Sequence, residues 1–600
     1  MTSSQNASAM EQGNATQQPT GRPVVFGTQG VISSGHYLTS MAGMRMLLSG
    51  GNAFDAVVAS CFAAAVTEPI ASYSLAAEGV FLLYHAESGD LLSLSGQGTA
   101  PAKATVDWYR SQGQEEIPTG PGPLAPLSFT VPGVVDALFS LLEKYGTKTA
   151  AEVLAPSIHY AERGIPNYDY MIDRLESPAG KSQFELFPPG GMDVFYDDGD
   201  LPEAGSLLVQ TALGATLRKL VDAENSEPGH RLAGIRAARD AFYEGEVAEL
   251  IVNGSERFGG ALEMEDLATY RAQFEEPVEV SFMGHEVHGQ STWTQGSVML
   301  QTLNILEHFD LKAMGHNSTA YVHTVAEAVK LAMADRQAYY GDPEFASIPI
   351  DGLLSKEYAA ERAKLIDPNE AHPKLPPSGD PWQHSTLTGA PRATAEPVAS
   401  TGDGAGDDGG TTHISVIDRD GNMVCATPSG GSFAKSVFLP EIGCALSTRI
   451  EMFNFEDGHP NRLEPGKRPR TTLINYIVTK DGVPVLTVGC PGGDHQAQGN
   501  LQILLNTLVW GMNPQAAVEA PRFASTSVTN SFYPHTYYPG QLALEPEFPA
   551  ETADELRAMG HNIVTVSDAG MGATISRRDP DNGVLSSGGD PRRACYAIAW

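Results

Sequence analysis

Two consecutive threonines stand where a glycine- and aspartate-rich run gives way to a strand-like pattern. Thr411 and Thr412 follow the segment GDGAGDDGG and precede the alternating sequence HISVID. A hydroxyl is a weak nucleophile unless a base lies beside it, and a threonine at a free chain end can use its own α-amine as that base. This chemistry would require cleavage of the bond between Gly410 and Thr411. Glycine before the bond leaves room for the threonine hydroxyl to approach the preceding carbonyl.

The same threonines have a purely structural interpretation, because threonine is favoured at the beginning of a β-strand. The chain upstream is compatible with the chemical interpretation. Residues 367–410 are dense in Pro, Gly, Ser, Thr and Asp and show no periodic element. This composition predicts a flexible linker that ends at the cleavage site and lets the new chain end move away.

Strand and helix patterns on both sides of the linker predict the elements that position the threonines. THISVID and MVCAT form a hairpin around Asp420-Gly421, and a second hairpin turns at Asp481-Gly482. Upstream, amphipathic helical blocks dominate, with a turn at Gly50-Gly51 between two of them. The last third begins with strands that we expect to complete a sheet started by the front of the chain.

The overall composition excludes several classes of function. The 600 residues include 38 basic and 72 acidic side chains, a net charge of −34, which argues against binding to nucleic acid. The five cysteines form no CxxC pair, so neither a disulfide framework nor a zinc site is expected. Residues 1–22 read as a disordered tail without a signal-peptide pattern, and no apolar run could span a bilayer. We therefore expect a cytoplasmic protein without membrane contacts.

A series of motifs along the chain resembles the gamma-glutamyltranspeptidase family of N-terminal-nucleophile hydrolases. The segment GGTTHISVIDRDGNMVCAT looks like the family's processing site. Further matches occur in the expected order: SGGNAFDAVVA (49–59), VPGVVDALFSLLEKYGT (131–147), LNILEHFDL (303–311), MADRQAYYGDPEF (333–345), PGKRPRTTL (465–473), GCPGGDHQ (489–496), EAPRF (519–523) and DPRR (590–593).

The resemblance implies a fold and a mode of maturation. The expected fold is α/β, a four-layer αββα sandwich built by two chains from one precursor. Residues 23–366 would form the large-subunit segment, 367–410 the linker and 411–600 the small-subunit segment, and the two fragments would stay associated. Self-cleavage would fall between Gly410 and Thr411. Thr411 Oγ would then attack an amide carbonyl, and the acyl-enzyme would be released to water or to an acceptor amine.

The family's motifs also imply roles for other residues. Ser429 falls beside the nucleophile and would orient its amine or hydroxyl, although it could be an ordinary turn serine. Gly492 and Gly493 match the paired glycines whose N–H groups form the oxyanion hole, with a plain tight turn as the alternative. Thr471 and Thr472 match a hydroxyl pair of the substrate site.

Several positions depart from the family pattern, and they concern the substrate. Typical members bind a glutamyl α-carboxylate through an arginine within the stretch that corresponds to 117–133, where this sequence has no Arg or Lys. Arg449 and Met452 replace amide and acidic partners of the α-amino group, and Gly431 stands where asparagine is common. Arg449 could favour a carboxylate or keto-acid, or it could be a solvated surface residue. The substrate is therefore not expected to be standard glutathione.

Three functions follow from these observations. The leading one is an autoprocessed gamma-glutamyltransferase-like hydrolase or acyltransferase, a zymogen that acts on a gamma-glutamyl-like or other acyl amide. The second is a hydrolase that cleaves a carbon–carbon bond next to a keto-acid in secondary metabolism, as some relatives do. The third is an unprocessed, inactive scaffold or binding protein of the same fold. No cofactor and no metal is expected.

Overall fold

The fold was analysed in a computed structural model of the chain. It describes residues 20–187, 190–392, 398–400, 410–430, 433, 435–569 and 572–600. Within these ranges no helix combines the length and the apolarity that crossing a membrane requires.

Two seven-stranded antiparallel sheets form the centre of the molecule. The sheet whose strand β10 follows Thr411, here called the Thr411 sheet, has the order β21 (Tyr596–Ala599), β2 (Gly30–Ser34), β10 (Ile414–Asp418), β11 (Met423–Ser429), β3 (Glu78–His85), β4 (Asp90–Gly96) and β7 (Gln273–Glu275). The second, here called the Gly492 sheet, has the order β1 (Val25–Gly27), β20 (Leu585–Gly589), β19 (Thr574–Arg578), β15 (Val483–Gly489), β14 (Tyr476–Lys480), β9 (His285–Gly289) and β8 (Val278–Phe282).

Short strands and helices complete the described fold. The smaller sheets pair β5 (Ile165–Pro166) with β6 (Leu207–Leu208), β12 (Phe438–Leu439) with β13 (Cys444–Ala445), and β17 (Gln541–Leu544) with β16 (Phe523–Ser525) and β18 (Asn562–Thr565). The α-helices are α1 (Tyr37–Leu48), α2 (Ala53–Thr67), α3 (Val106–Ser111), α4 (Val134–Tyr145), α5 (Ala150–Arg163), α6 (Asp169–Leu175), α7 (Pro178–Leu186), α8 (Met192–Phe195), α9 (Thr211–Asn225), α10 (Arg231–Tyr243), α11 (Glu246–Arg257), α12 (Met264–Thr269), α13 (Gly296–Leu306), α14 (Leu311–Met314), α15 (Thr319–Tyr339), α16 (Ile350–Leu353), α17 (Lys356–Ala363), α18 (Gln496–Leu508), α19 (Pro514–Glu519) and α20 (Ala550–Ala558).

The two large sheets pack face to face, and helices cover both outer faces. Helices α2 and α4 contact the Thr411 sheet, whereas α13, α18 and α19 contact the Gly492 sheet. Apolar side chains from both sheets fill the space between them, among them Ile417, Cys425 and Ile477. The predicted four-layer αββα sandwich is confirmed.

The turns predicted for the two central hairpins are present, with backbone geometry that suits their residues. Strands β10 and β11 pair antiparallel, and Gly421 takes a φ of 87° in their turn. Asp481 and Gly482 both have positive φ, 52° and 76°, between β14 and β15. Two consecutive positive φ values define the turn whose twist matches that of the flanking strands, and Asp-Gly tolerates them well.

The Thr411 sheet is built from strands that lie on both sides of the Gly410–Thr411 bond in the sequence. Strand β10 lies between β2 and its hairpin partner β11, and β11 in turn pairs with β3. The Gly492 sheet also contains strands from both sides of that bond, because β14, which follows it in the sequence, pairs with β9, which precedes it. The front and the last third therefore build each large sheet together, as the strand pattern predicts.

Two segments expected to lack fixed structure are anchored where the structure describes them. Residues 367–392 contain a 3-10 helix, Pro381–His384, and Tyr339 Oη donates to Gly379 O over 2.6 Å. The contact with Tyr339 comes from helix α15, and local composition cannot predict contacts with other parts of the chain. In the predicted tail, Arg22 N donates to a Glu519 carboxylate oxygen over 3.1 Å. The rest of the tail, 1–19, and linker residues 393–397 and 401–409 lie outside the described residues.

Candidate active site

Thr411 lies just before β10 (Ile414–Asp418), an interior strand of the Thr411 sheet, and is 4% exposed. Its Oγ1 is 2.5 Å from the carbonyl oxygen of Gly410 and 3.3 Å from Ser429 Oγ, and it can donate its hydrogen to either. Ser429 ends β11, the neighbouring strand, and its hydroxyl donates to Gly410 O over 2.7 Å. Two hydroxyls therefore meet at the carbonyl of the bond predicted to be cut.

Arg449 is a fully buried cation beside these hydroxyls. Its Nη2 donates to Ser429 Oγ over 2.9 Å, and its Nη1 lies 3.4 Å from Thr472 Oγ1. The guanidinium carbon lies 5.4 Å from the ring centre of Phe532, within the range of a cation–π contact. The interpretation of Arg449 as a solvated surface residue is therefore wrong, because it is 1% exposed.

Glu78 is the carboxylate that faces Arg449. It begins β3 directly opposite Ser429 in the β3–β11 ladder, and its Oε2 lies 3.8 Å from Arg449 Nε. Its other oxygen, Oε1, accepts hydrogen bonds from Thr130 and Ser447. Burial raises the pKa of Glu78 to about 7, and the Arg449 charge and the two hydroxyls oppose the shift.

The paired glycines begin the segment between the Gly492 sheet and helix α18. Gly492 and Gly493 have φ values of 122° and 52°, which non-glycine residues adopt only with strain. Gln295 Nε2 donates to Gly493 O over 2.8 Å and to Thr472 O over 3.0 Å, so one amide joins the glycine pair to the threonine pair. Thr471 N in turn donates to Trp293 O over 2.9 Å.

A buried ion pair supports the same segment from behind. Asp494 forms an ion pair with Arg336 of α15 and accepts hydrogen bonds from Ser531 N and Ser531 Oγ over 2.6 and 2.7 Å. Burial alone would raise the pKa of Asp494, but Arg336 and Ser531 outweigh it and lower the pKa. The carboxylate therefore stays charged and holds three chain segments together.

A small cavity of about 20 Å³ borders Thr411. It has room for about one water molecule, and its lining includes Thr411, Glu68, Pro491 and Arg593. Thr39 Oγ1 donates to Glu68 Oε1 over 2.6 Å. Burial raises the pKa of Glu68 to about 7, against the opposing effects of hydroxyl hydrogen bonds and of Arg593. Pro491 precedes Gly492, so the glycine loop borders the nucleophile's cavity.

A group of side chains that could hold a metal lies elsewhere, around helix α15. His323, Glu327 and His561 bring one ligand atom each within 4.8 Å of the others. Protein partners already engage these atoms, since His323 Nδ1 lies 2.9 Å from His561 Nε2 and Lys330 Nζ lies 2.5 Å from Glu327 Oε1. Sequence analysis missed this cluster, because His561 comes from a distant segment.

The structure thus brings together Thr411, Ser429, Arg449 and Thr472, and it places Gly492 next to Pro491 of the Thr411 cavity. Sequence analysis missed the partnership of Glu78 with Arg449, although a carboxylate within the apolar segment SLAAEGVFLLYH was a visible signal. It also missed Glu68. Gly431 lies outside the described residues.

Comparison with known proteins identifies the family. The family model for gamma-glutamyltranspeptidase matches residues 39–600. This chain belongs to the gamma-glutamyltranspeptidase family. The glutathione hydrolase proenzyme of Bacillus subtilis (strain 168) is 31% identical over 580 residues, which cover 96% of this chain and 92% of that protein.

Solved structures agree with the family over almost the whole chain. The structure of LmbA2991HD has 37% sequence identity and a TM-score of 0.88, covering 97% of this chain and 100% of that one. A cephalosporin acylase from Bacillus halodurans has 30% identity and a TM-score of 0.82, covering 98% of both chains. The chain is thus a gamma-glutamyltranspeptidase-family hydrolase or acyltransferase that is made as a proenzyme.

Proposed function

We propose that the chain cuts itself between Gly410 and Thr411 and then acts as an N-terminal threonine hydrolase or acyltransferase. The observation that carries the proposal is the convergence of the Thr411 and Ser429 hydroxyls on the Gly410 carbonyl oxygen, at 2.5 and 2.7 Å. These groups surround the one bond whose cleavage would release the threonine amine. The released amine would serve as general base for the Thr411 hydroxyl.

In the mature enzyme, Thr411 Oγ attacks the substrate carbonyl and forms an acyl-enzyme. The N–H groups of Gly492 and Gly493 stabilise the oxyanion, since glycines with positive φ can present backbone donors close to it. Ser429 orients the Thr411 amine or hydroxyl. Water or an acceptor amine then takes the acyl group from Thr411.

The substrate we propose carries an anionic or keto group next to the reacting carbonyl, and it is not standard glutathione. Arg449 is a buried guanidinium beside Ser429 and Thr472, and planar guanidinium groups favour carboxylates. No arginine or lysine is present in residues 117–133, where typical members bind the glutamyl carboxylate. The acyl donor would therefore bind from the Arg449 side.

The same arginine favours a second candidate, hydrolysis of a carbon–carbon bond next to a keto-acid. That reaction uses the same nucleophile and oxyanion hole with a carbon leaving group, and Arg449 would bind the keto-acid carboxylate. A panel of acyl amides and keto-acids, analysed by mass spectrometry of the products, distinguishes the two candidates by which bond is broken.

The first test is the intact mass of the purified protein beside that of Thr411→Ala. We expect two fragments from the wild-type protein, the second beginning at Thr411, and one uncut chain from the variant. A single full-length chain from both would contradict the proposal and favour the scaffold alternative.

A further inference from the structure

We propose that Arg449, held in place by Glu78, is a positioning residue for self-cleavage, acting through Ser429 to stabilise the oxyanion that forms on Gly410. The inference rests on the proposed function, because it assumes cleavage between Gly410 and Thr411. It assigns Arg449 and Glu78 a role in maturation that is separate from binding of the later substrate.

The direction of each hydrogen bond around Ser429 follows from its partners. Arginine has donors and no acceptor, so Ser429 Oγ must accept the 2.9 Å hydrogen bond from Arg449 Nη2. The hydroxyl hydrogen of Ser429 is then directed to Gly410 O, 2.7 Å away. This distance lies within the range expected between a donor and an oxyanion. The arginine thus fixes Ser429 as a donor to the carbonyl that reacts.

Glu78 fixes the arginine in turn. Thr130 and Ser447 occupy Oε1 of Glu78, which leaves Oε2 facing Arg449 Nε at 3.8 Å. Because Glu78 lies opposite Ser429 in the strand ladder, the carboxylate, guanidinium and serine hydroxyl form one continuous group within the sheet. Three carboxylates act on the Arg449 charge, Glu78 most strongly and then Glu451 and Asp494. Without Glu78 the buried guanidinium would lose the largest part of its charge compensation.

The chemistry of the step explains why a cation matters there. Thr411 Oγ forms a bond to the Gly410 carbonyl carbon, and the carbonyl electron pair moves to the oxygen as an oxyanion. When that pair returns, the bond to Thr411 N breaks, and the proton from the Thr411 hydroxyl passes to this nitrogen. The product is an ester, which water hydrolyses to a Gly410 carboxylate, a free Thr411 hydroxyl and its amine. A charge-assisted hydrogen bond chain strengthens as the oxyanion forms.

The experiment measures self-cleavage directly and needs no substrate. Radiolabelled wild-type chain, Arg449→Met, Arg449→Lys and Glu78→Gln are made in a cell-free translation, and the uncut fraction is followed on denaturing gels at several pH values. Arg239→Lys serves as the control, because Arg239 is a buried arginine of α10 whose ion-pair partner is Asp136 and not Glu78. Circular dichroism of purified samples reports whether each variant is folded.

We expect Arg449→Met to slow cleavage on the order of 10- to 100-fold, somewhat less than the loss of a direct oxyanion donor. Arg449→Lys should recover part of the rate, and Arg239→Lys should cleave like the wild type. The wild-type rate should rise with pH as Glu78 ionises, near its pKa of about 7, and Glu78→Gln should reduce that rise. Glu68, which borders the Thr411 cavity and also has a pKa of about 7, is unchanged in this variant, so the Glu78 contribution is the difference between the two pH profiles.

Wild-type cleavage rates in folded Arg449→Met and Glu78→Gln would overturn the inference and leave the proposed function intact, provided that Thr411→Ala stays uncut. A wild-type chain that is not cleaved would contradict both the inference and the proposed function. If Arg449→Met does not fold, the isosteric Glu78→Gln and the charge-conserving Arg449→Lys decide the question: equal rates and an unchanged pH profile would overturn the inference.

Discussion

Glu68 and Glu78 are buried carboxylates near the nucleophile, and in both the effect of burial on the pKa outweighs that of the neighbouring charges and hydroxyls. Glu68 lines the cavity next to Thr411, and burial raises its pKa to about 7. Since the pKa in an unfolded chain is about 4.3, the folded protein binds an extra proton between these values. Stability from this group is therefore greatest at low pH and falls as the pH rises toward 7.

Glu68→Gln removes this pH dependence. The difference in unfolding free energy between Glu68→Gln and the wild type should therefore shift in favour of the variant, by on the order of 3 kcal/mol, between pH 4 and pH 8. Unfolding in urea at pH 4, 6 and 8 measures the trend. Glu547→Gln is the control, because Glu547 is exposed and should show no such trend. A difference between Glu68→Gln and wild type that stays constant with pH would contradict the assignment of the raised pKa to Glu68.

For single residues, the sequence predicted which side chains belong to the site better than it predicted their burial and their partners. Resemblance to the family's motifs was enough to select Thr411, Ser429 and Arg449 as candidates. Burial of Arg449 and its contact with Glu78 could not be predicted, because the two residues lie far apart in the sequence, on either side of the Gly410–Thr411 bond, and meet only when β3 pairs with β11.

Among the elements, the segment that carries the glycine pair depends most on distant support. Asp494 lies within the short 3-10 turn Gly493–His495 before α18 and joins it to Arg336 of α15 and to Ser531. Removing the charge of Asp494 would leave Arg336 buried without its partner. A broken buried ion pair typically destabilises by about 3–5 kcal/mol.

We therefore expect Asp494→Asn to lower the free energy of unfolding by about 3–5 kcal/mol and to reduce turnover, because the Gly492–Gly493 loop loses its anchor. Thermal unfolding and steady-state kinetics measure the two effects. Asp554→Asn, which removes an exposed pair with Arg557 at 2.7 Å, should change stability by about 1 kcal/mol or less. Equal effects of both substitutions would refute the argument.

Elements with a strong local pattern were predictable, and the linker was not. The hairpins around Gly421 and Asp481-Gly482 follow from turn chemistry that acts within a few residues. Residues 367–392 contain no such pattern, yet they pack through contacts such as Arg362 with Pro377 and Arg392 with Gly458. Composition predicts the absence of regular structure, and it cannot predict docking onto other segments.

For the whole molecule, the interleaving of strands matters more than any single contact. Each large sheet takes strands from both sides of the Gly410–Thr411 bond, joined by the main-chain ladders β2–β10, β3–β11 and β9–β14. The apolar side chains between the sheets also come from both sides. Neither fragment can leave without exposing the core.

After cleavage, the two fragments should therefore elute as one species in gel filtration, at low salt and in 1 M NaCl alike. Salt weakens exposed ion pairs but not buried apolar contacts. They should separate only in guanidinium chloride that unfolds the sheets. Elution as two folded species at high salt would show that surface charges, and not the shared sheets, hold the fragments together.

The position of Thr411 in its sheet has a consequence for how long the mature enzyme would last. Chain ends are normally where trimming and proteolysis begin, unless a strand ties them down. An end created at Thr411 would start just before β10, which has β2 on one side and β11 on the other, and the threonine is 4% exposed. An aminopeptidase needs an accessible chain end, and this one would be buried. The lifetime of the catalytic terminus would then follow the rate of global unfolding, which links the durability of the active site to that of the whole fold.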